Sequence, residues 1–269
     1  MVELKIDGVT TDFKQWNFPA GEVGVQIPQI SEQNKVQVWM RMPSSDDIFV
    51  CLNILDALFR QTVNPKNIEL HIPYLPYGRQ DRVCTQGESF ALQVFANTIV
   101  ANAWFSKLVM CDAHSSASLE VFSKYLFEVE NKSQADCAKY LPRFDALIAP
   151  DKGASAKVNT YFQVRGFDTK VFTLNKVRQD GRVIYEDYAY DTISGKVCVV
   201  DDICDGGATF LSLAEMLWRT QPNIKSLNLY VTHGIFSKGV AELLKFYDTI
   251  YVHNLMNDMV QKAQSVTVI

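Results

Sequence analysis

The chain has 269 residues, 48% of them hydrophobic and 21% charged, which suits a globular protein of one large or two modest domains. A formal net charge of −4 leaves no basic footprint for nucleic acid. No apolar run approaches the length of a membrane span, and residues 1–5 do not open a signal peptide.

Taken in chain order, apolar strand-like runs alternate with longer amphipathic stretches, the pattern of mainly parallel sheets covered by helices, an α/β fold. Residues 36–42 read as a strand, and 46–62 as a helix with Ile48, Cys51, Leu52, Leu55 and Leu58 at helical spacing. A strand at 68–72 leads into a Pro- and Gly-containing loop through Gly87, a helix at 89–100 and a strand at 107–111 that ends at Asp112. The cycle restarts after Glu128, predicting domains over 1–128 and 129–269. The second half reads as a helix at 134–141, a strand at 146–149 ending near Asp151 and a helix at 155–163. A strand at 170–174 then runs into Lys176, and a polar, aromatic-rich stretch at 179–194 reads as a lid. A strand at 196–200, a helix at 211–219 and strands at 226–231, 249–252 and 265–268 complete it. Cys51, Cys84, Cys111, Cys137, Cys198 and Cys204 are scattered, mostly in apolar surroundings, which predicts free thiols in a reducing cytoplasm. Cys111 and His114 have a metal-like spacing, but no second Cys/His pair completes a zinc site.

The most informative segment follows the strand at 196–200. Asp201 and Asp202 end the apolar run, and Asp205, Gly206, Gly207, Ala208 and Thr209 form a small-residue loop before an amphipathic helix. Two carboxylates can accept hydrogen bonds from the hydroxyls of a ribose. Bare N–H groups at a helix N-terminus can wrap a phosphate, provided no bulky side chain holds the backbone away. Polar residues also follow the other strands: Arg79, Asp112, Asp151 and Lys176. Ligands of open α/β sheets bind outside the carboxyl ends of strands, so a site is expected there.

The 201–209 segment resembles the phosphoribosyl-pyrophosphate motif of type I phosphoribosyltransferases and ribose-phosphate diphosphokinases. Further segments resemble the diphosphokinases in family order: residues 18–23 (FPAGEV), 72–82 (IPYLPYGRQDR), 110–114 (MCDAH), 149–153 (APDKG) and the Lys176-Val177-Arg178 triplet. The resemblance implies two phosphoribosyltransferase-like domains, each a mainly parallel sheet flanked by helices, with ATP on the 1–128 side and ribose phosphate on the 129–269 side. It implies an enzyme that transfers the β,γ-pyrophosphate of ATP to the anomeric hydroxyl of a ribose 5-phosphate moiety and releases AMP. ATP is then a co-substrate and Mg²⁺ the cofactor, with His114 and Asp151 as metal contacts. Lys176, Arg178 and His114 are the implied catalytic groups; Lys176 and Arg178 precede the lid, whose closure would bring both charges to the transferring phosphates. Phe18, Glu22, Arg79, Gln80 and Asp81 are implied to bind ATP, since the chain has no Walker motif. Asp201, Asp202, Asp205, Gly206, Gly207, Ala208 and Thr209 are implied to hold the ribose phosphate. The partners implied are small molecules, in a homo-oligomer, dimer or higher.

Departures from the family pattern qualify these expectations. Gly206 stands where the family has a threonine, so a hydroxyl donor and its bulk are missing. That opens the alternative of a 5′-substituted acceptor such as ADP-ribose, whose 1-pyrophosphate could serve NAD resynthesis. Ala20 replaces an acidic or amide residue facing adenine, and residues 115–120 lack the family's Gln-rich run, so its allosteric site is not expected. Two other readings stay open. A phosphoribosyltransferase would share the 201–209 loop without needing residues 79–81, and a non-catalytic regulatory paralogue would be expected to lose the cations and metal contacts that are retained here.

Overall fold

The computed structural model describes residues 1–269 apart from 42, 43, 102, 166–168, 175, 180, 181, 186–191, 258, 261 and 262; at 161–165, 176–179 and 182–184 it describes the backbone alone. The chain divides into two compact units, Met1–Lys132 and Ser133–Ile269. Both are α/β, built on parallel sheets flanked by helices.

The first unit contains β1 (Val2–Ile6), β2 (Val9–Thr11), β3 (Lys14–Asn17), β4 (Val23–Gln26), β5 (Val36–Met40), α1 (Asp46–Arg60), β6 (Ile68–His71), α2 (Ala91–Ala101), β7 (Lys107–Cys111), α3 (Ser116–Ser123) and β8 (Glu128–Lys132). Its six-stranded sheet has the order β2-β1-β5-β6-β7-β8; β5 to β8 are parallel, and β1 is antiparallel to β2 and β5. In β5 the apolar residues alternate inward, burying Val36, Val38 and Met40. The α1 helix lays Ile48, Cys51, Leu55 and Leu58 on the core, with Asp46 and Asp47 in its first turn and Arg60 in its last, as its dipole favours. The edge strand β8 lies within the first unit, beyond residue 128; its polar composition gives no strand periodicity to read. β2, the β3–β4 hairpin and α3 are short or polar and carry little periodicity, whereas β1 alternates apolar Val2, Leu4 and Ile6 with charged residues, a strand signal that the sequence expectation does not use.

The second unit contains α4 (Gln134–Cys137), β9 (Ala146–Ala149), α5 (Lys152–Arg165), β10 (Lys170–Thr173), β11 (Lys176–Gln179), β12 (Arg182–Tyr185), β13 (Gly195–Cys204), α6 (Ala208–Thr220), β14 (Ile224–Gly234), β15 (Thr249–Leu255) and β16 (Val266–Val268). Its six-stranded sheet is parallel throughout in the order β10-β9-β13-β14-β15-β16. Every residue of β9 is buried, as expected for a strand covered on both faces. The chain leaves β9 for β10 on one side and resumes at β13 on the other, so the order reverses between β9 and β13. Open α/β sheets bind ligands at such a reversal.

Several bounds differ from the sequence expectation. The helix expected over 134–141 is α only to Cys137, where a Ser133–Asp136 capping box starts a short turn. The strand expected over 196–200 continues to Cys204, because β14 keeps pairing with it as far as Gly234. At the start of the stretch read as a lid, β12 pairs antiparallel with β11 just before it, while 180, 181 and 186–191 lie outside the described residues.

Candidate active site

The phosphate-type loop stands at the carboxyl end of β13. Gly207 caps α6 in the left-handed conformation, φ 79°, and a Cβ there would come within 3.3 Å of the Leu243 side chain. The left-handed backbone favours glycine at this position, and a Cβ would in addition press on Leu243. No side chain caps α6, and the N–H groups in the first turn of a helix have no intrahelical acceptor. Ala208 and Thr209, expected in the loop, form that first turn. Those N–H groups, with the positive end of the helix dipole, make an anion seat. Asp205 is fixed beside it, accepting a 2.6 Å hydrogen bond from Ser237 Oγ.

Three carboxylates crowd the strand ends at the reversal. Asp151 follows β9, and its Oδ1 accepts from Ala154 N at 3.0 Å, capping the first turn of α5. Asp202 accepts from Lys157 Nζ of α5 at 3.2 Å, and its own N–H donates to Asp201 Oδ1 at 2.9 Å. Burial first, then the charges of Asp202 and Asp151, raise Asp201 well above the ordinary carboxylate range. Tyr185, at the end of β12, is 4% exposed, and its hydroxyl has no hydrogen-bond partner among the described residues. Burial, then Asp201 and Asp151, push this phenol upward too. Lys176 pairs with Tyr185 across the hairpin, which puts the backbone of Lys176 and Arg178 just beyond the end of β10; their side chains are outside the described set.

In the first unit a second cluster forms. Arg79 and Gln80 are exposed on the loop after β6, where Tyr77 takes φ 59° and Gln80 N donates to Tyr77 O at 2.8 Å. Asp81 is buried. It accepts from Arg82 at 2.7 and 2.9 Å and from Ser115 Oγ at 2.6 Å. Hydrogen bonds from Arg82 and then Ser115, with the charges of Arg82 and His114 adding to them, hold its carboxyl well below the usual range. Asp81 thus ties the loop to the segment after β7, where His114 is exposed and Asp112 is held at φ 40°. The β3–β4 tip closes with Phe18 N donating to Glu22 O at 2.8 Å. Phe18 is 51% exposed and meets Trp16 edge-on at 6.1 Å. A separate cavity of about 490 Å³, lined by Trp218, Phe246 and Asp248 among others, lies toward the amino ends of β15 and β16, away from the phosphate-type loop.

No family model matches the chain. A ribose-phosphate pyrophosphokinase of Pyrococcus furiosus is 25% identical over 262 residues, 97% of this chain and 91% of the relative. That of Pyrococcus abyssi is 27% identical over 228 residues, 84% of this chain and 77% of the relative. That of Methanosarcina mazei is 28% identical over 254 residues, 92% and 80%. This chain is a homologue of the ribose-phosphate pyrophosphokinases. The fold agrees: the crystal structure of phosphoribosylpyrophosphate synthetase from Mycobacterium smegmatis matches 98% of this chain and 87% of its own at a TM-score of 0.75 and 20% identity.

This pyrophosphokinase homologue carries site residues that sequence reasoning passed over. Lys157, Tyr185, Ser115 and Ser237 contact or neighbour the expected groups, but each sits outside a motif. Helical spacing could have found Lys157, one turn and a half into the helix that Asp151 caps. The other three carried no sequence signal.

Proposed function

We propose that this protein is an ATP-dependent diphosphokinase that transfers the β,γ-pyrophosphate of ATP to the anomeric hydroxyl of a ribose 5-phosphate moiety and releases AMP. The observation that carries the proposal is the glycine-capped loop at the carboxyl end of β13, opening at the strand-order reversal beside Asp151, Asp201 and Asp202. In this reading the first-turn N–H groups of α6 bind the 5′-phosphate, and Asp201 and Asp202 orient the ribose hydroxyls. Arg79 and Gln80 hold ATP phosphates, while Phe18 and Glu22 offer a stacking face and an acceptor to adenine. Asp81 positions that loop through Arg82 and Ser115. Lys176 and Arg178 meet the charge that builds on the transferring phosphates.

Mg²⁺ suits the hard oxygen donors of Asp151 and its carboxylate neighbours Asp201 and Asp202. Bound there, the ion would neutralise phosphate charge as the acceptor oxygen attacks. The free thiols suit a cytoplasmic protein, and among the described residues no helix is long and apolar enough to cross a membrane. The partners in this reading are small molecules within a homo-oligomer.

A second acceptor is favoured by one observation. Gly206 lacks the hydroxyl donor of a threonine, and a 5′-phosphodiester such as that of ADP-ribose needs fewer donors than a monoester. Incubation with ATP, Mg²⁺ and either sugar, read by mass spectrometry, tests both. AMP with phosphoribosyl pyrophosphate supports the first reading, and AMP with only the pyrophosphorylated ADP-ribose supports the second. No AMP with either sugar overturns the diphosphokinase proposal.

A further inference from the structure

Gly206 does not leave an empty space. A Cβ built there would lie 3.5 Å from Lys238 Cε, 3.6 Å from Cδ and 3.9 Å from Cγ. The lysine stem therefore runs along the face of the loop from which a side chain at 206 would project, with its ammonium one bond beyond Cε. Gly206 is not among the positive-φ glycines, so its backbone does not demand glycine as that of Gly207 does.

The segment bearing Lys238 is closely held. Ile235 N and Phe236 N both donate to Cys204 O, at 2.9 and 3.1 Å, joining this turn to the last residue of β13. Phe236, with φ 46°, is fully buried and packs on Gly234, where any Cβ would collide with its ring. Asn257 Nδ2 and Gly239 N both donate to Phe236 O, and Ser237 Oγ donates to Asp205. Lys238 itself is exposed, and its ammonium takes no hydrogen bond or ion-pair partner among the described residues. An unpaired cation is thus anchored over an anion seat.

We propose that Lys238 binds the 5′-phosphate of the acceptor, supplying from the neighbouring turn the donor that Gly206 lacks. The assignment rests on the acceptor site proposed above. It names residue pairing as the device: the stem at 238 lies in van der Waals contact with the position a Cβ at 206 would take, so only the larger side chain of a threonine would crowd it, and a neutral hydroxyl in the loop is exchanged for a cation beside it. A charge-assisted hydrogen bond to phosphate is stronger than a neutral one, and the flexible stem can follow a mono- or a diester.

The test is calorimetric titration of the full chain with ribose 5-phosphate and, separately, ADP-ribose, without ATP. Lys238→Ala and the length-preserving Lys238→Gln are expected to weaken binding about tenfold, roughly 1.4 kcal/mol, and to flatten its salt dependence. Gly206→Thr alone is expected to weaken binding by crowding the stem. In the Lys238→Ala background it is expected to recover at least half of the loss, because the volume is then free and the hydroxyl donates. Lys238 variants that bind within twofold of wild type, or equal effects of Gly206→Thr in both backgrounds, overturn the assignment. Wild-type AMP formation is followed in parallel. Turnover with unaffected Lys238 variants overturns Lys238 alone, whereas wild type that neither binds nor turns over either sugar overturns the acceptor site as well.

Discussion

Tyr185 places a phenol in the hydrophobic core of the second unit, where its hydroxyl has no partner among the described residues. An unsatisfied buried hydroxyl costs about 1–3 kcal/mol, so Tyr185→Phe is expected to raise the thermal midpoint of the ligand-free protein, measured by calorimetry. A lowered midpoint would mean that the hydroxyl has a stabilising partner. Asp201 carries a charge penalty of another kind. Its folded pKa lies above the unfolded value of about 3.9, so the native state holds a proton that the unfolded chain has released. Stability from this group is therefore greatest below that unfolded value, falls as pH rises through the interval and levels off above the folded pKa. In a metal-free buffer, Asp201→Asn should flatten the decline of the midpoint between pH 5 and 8, and an unchanged slope would refute this. Asp81 runs the opposite way: its depressed pKa contributes stability at neutral pH that is lost on acidification.

At the scale of elements, each strand-to-helix junction combines structural and chemical demands. Asp151 caps α5 and also belongs to the carboxylate cluster, and substitutions can separate the roles. Asp151→Asn keeps a good capping side chain and should leave the midpoint nearly unchanged while lowering Mg²⁺-dependent AMP formation. Asp151→Ala should in addition lose about 1 kcal/mol of stability by denaturant titration. Equal stability losses would assign Asp151 no function beyond the cap. The loop before α6 shows the same layering in its two glycines. Gly207→Ala should destabilise by about 1–2 kcal/mol, since it forces a left-handed Cβ against Leu243, whereas Gly206→Ala meets only ordinary contacts with the Lys238 stem. Similar unfolding midpoints for the two variants would contradict that contrast. The motif was legible in sequence because both glycines and both aspartates are contiguous; the reason each glycine is there was not, since Leu243 and Lys238 arrive from distant positions.

At the scale of the molecule, each unit has its own hydrophobic core. Leu4, Val38, Ile54, Leu70 and Phe122 belong to the core of the first, and Val199, Leu213, Leu229, Phe236 and Ile250 to a core of the second. Expressed alone, residues 133–269 are expected to keep a cooperative thermal transition, and an unfolded circular-dichroism spectrum would show that this core does not suffice.

The sequence by itself determined the alternation of buried strands and amphipathic helices, and hence the α/β class, because hydrophobic periodicity is a local property read directly from neighbours. It likewise determined the 201–209 loop, whose chemistry lies within nine contiguous residues. Only the tertiary structure decided that β13 runs on through Asp201 and Asp202, that Asp81 is held by Ser115, that Tyr185 is buried beside the carboxylates and that Lys238 covers Gly206. Each depends on strand pairing or side-chain contact between residues far apart in the chain, and no local pattern encodes which distant residue will arrive there.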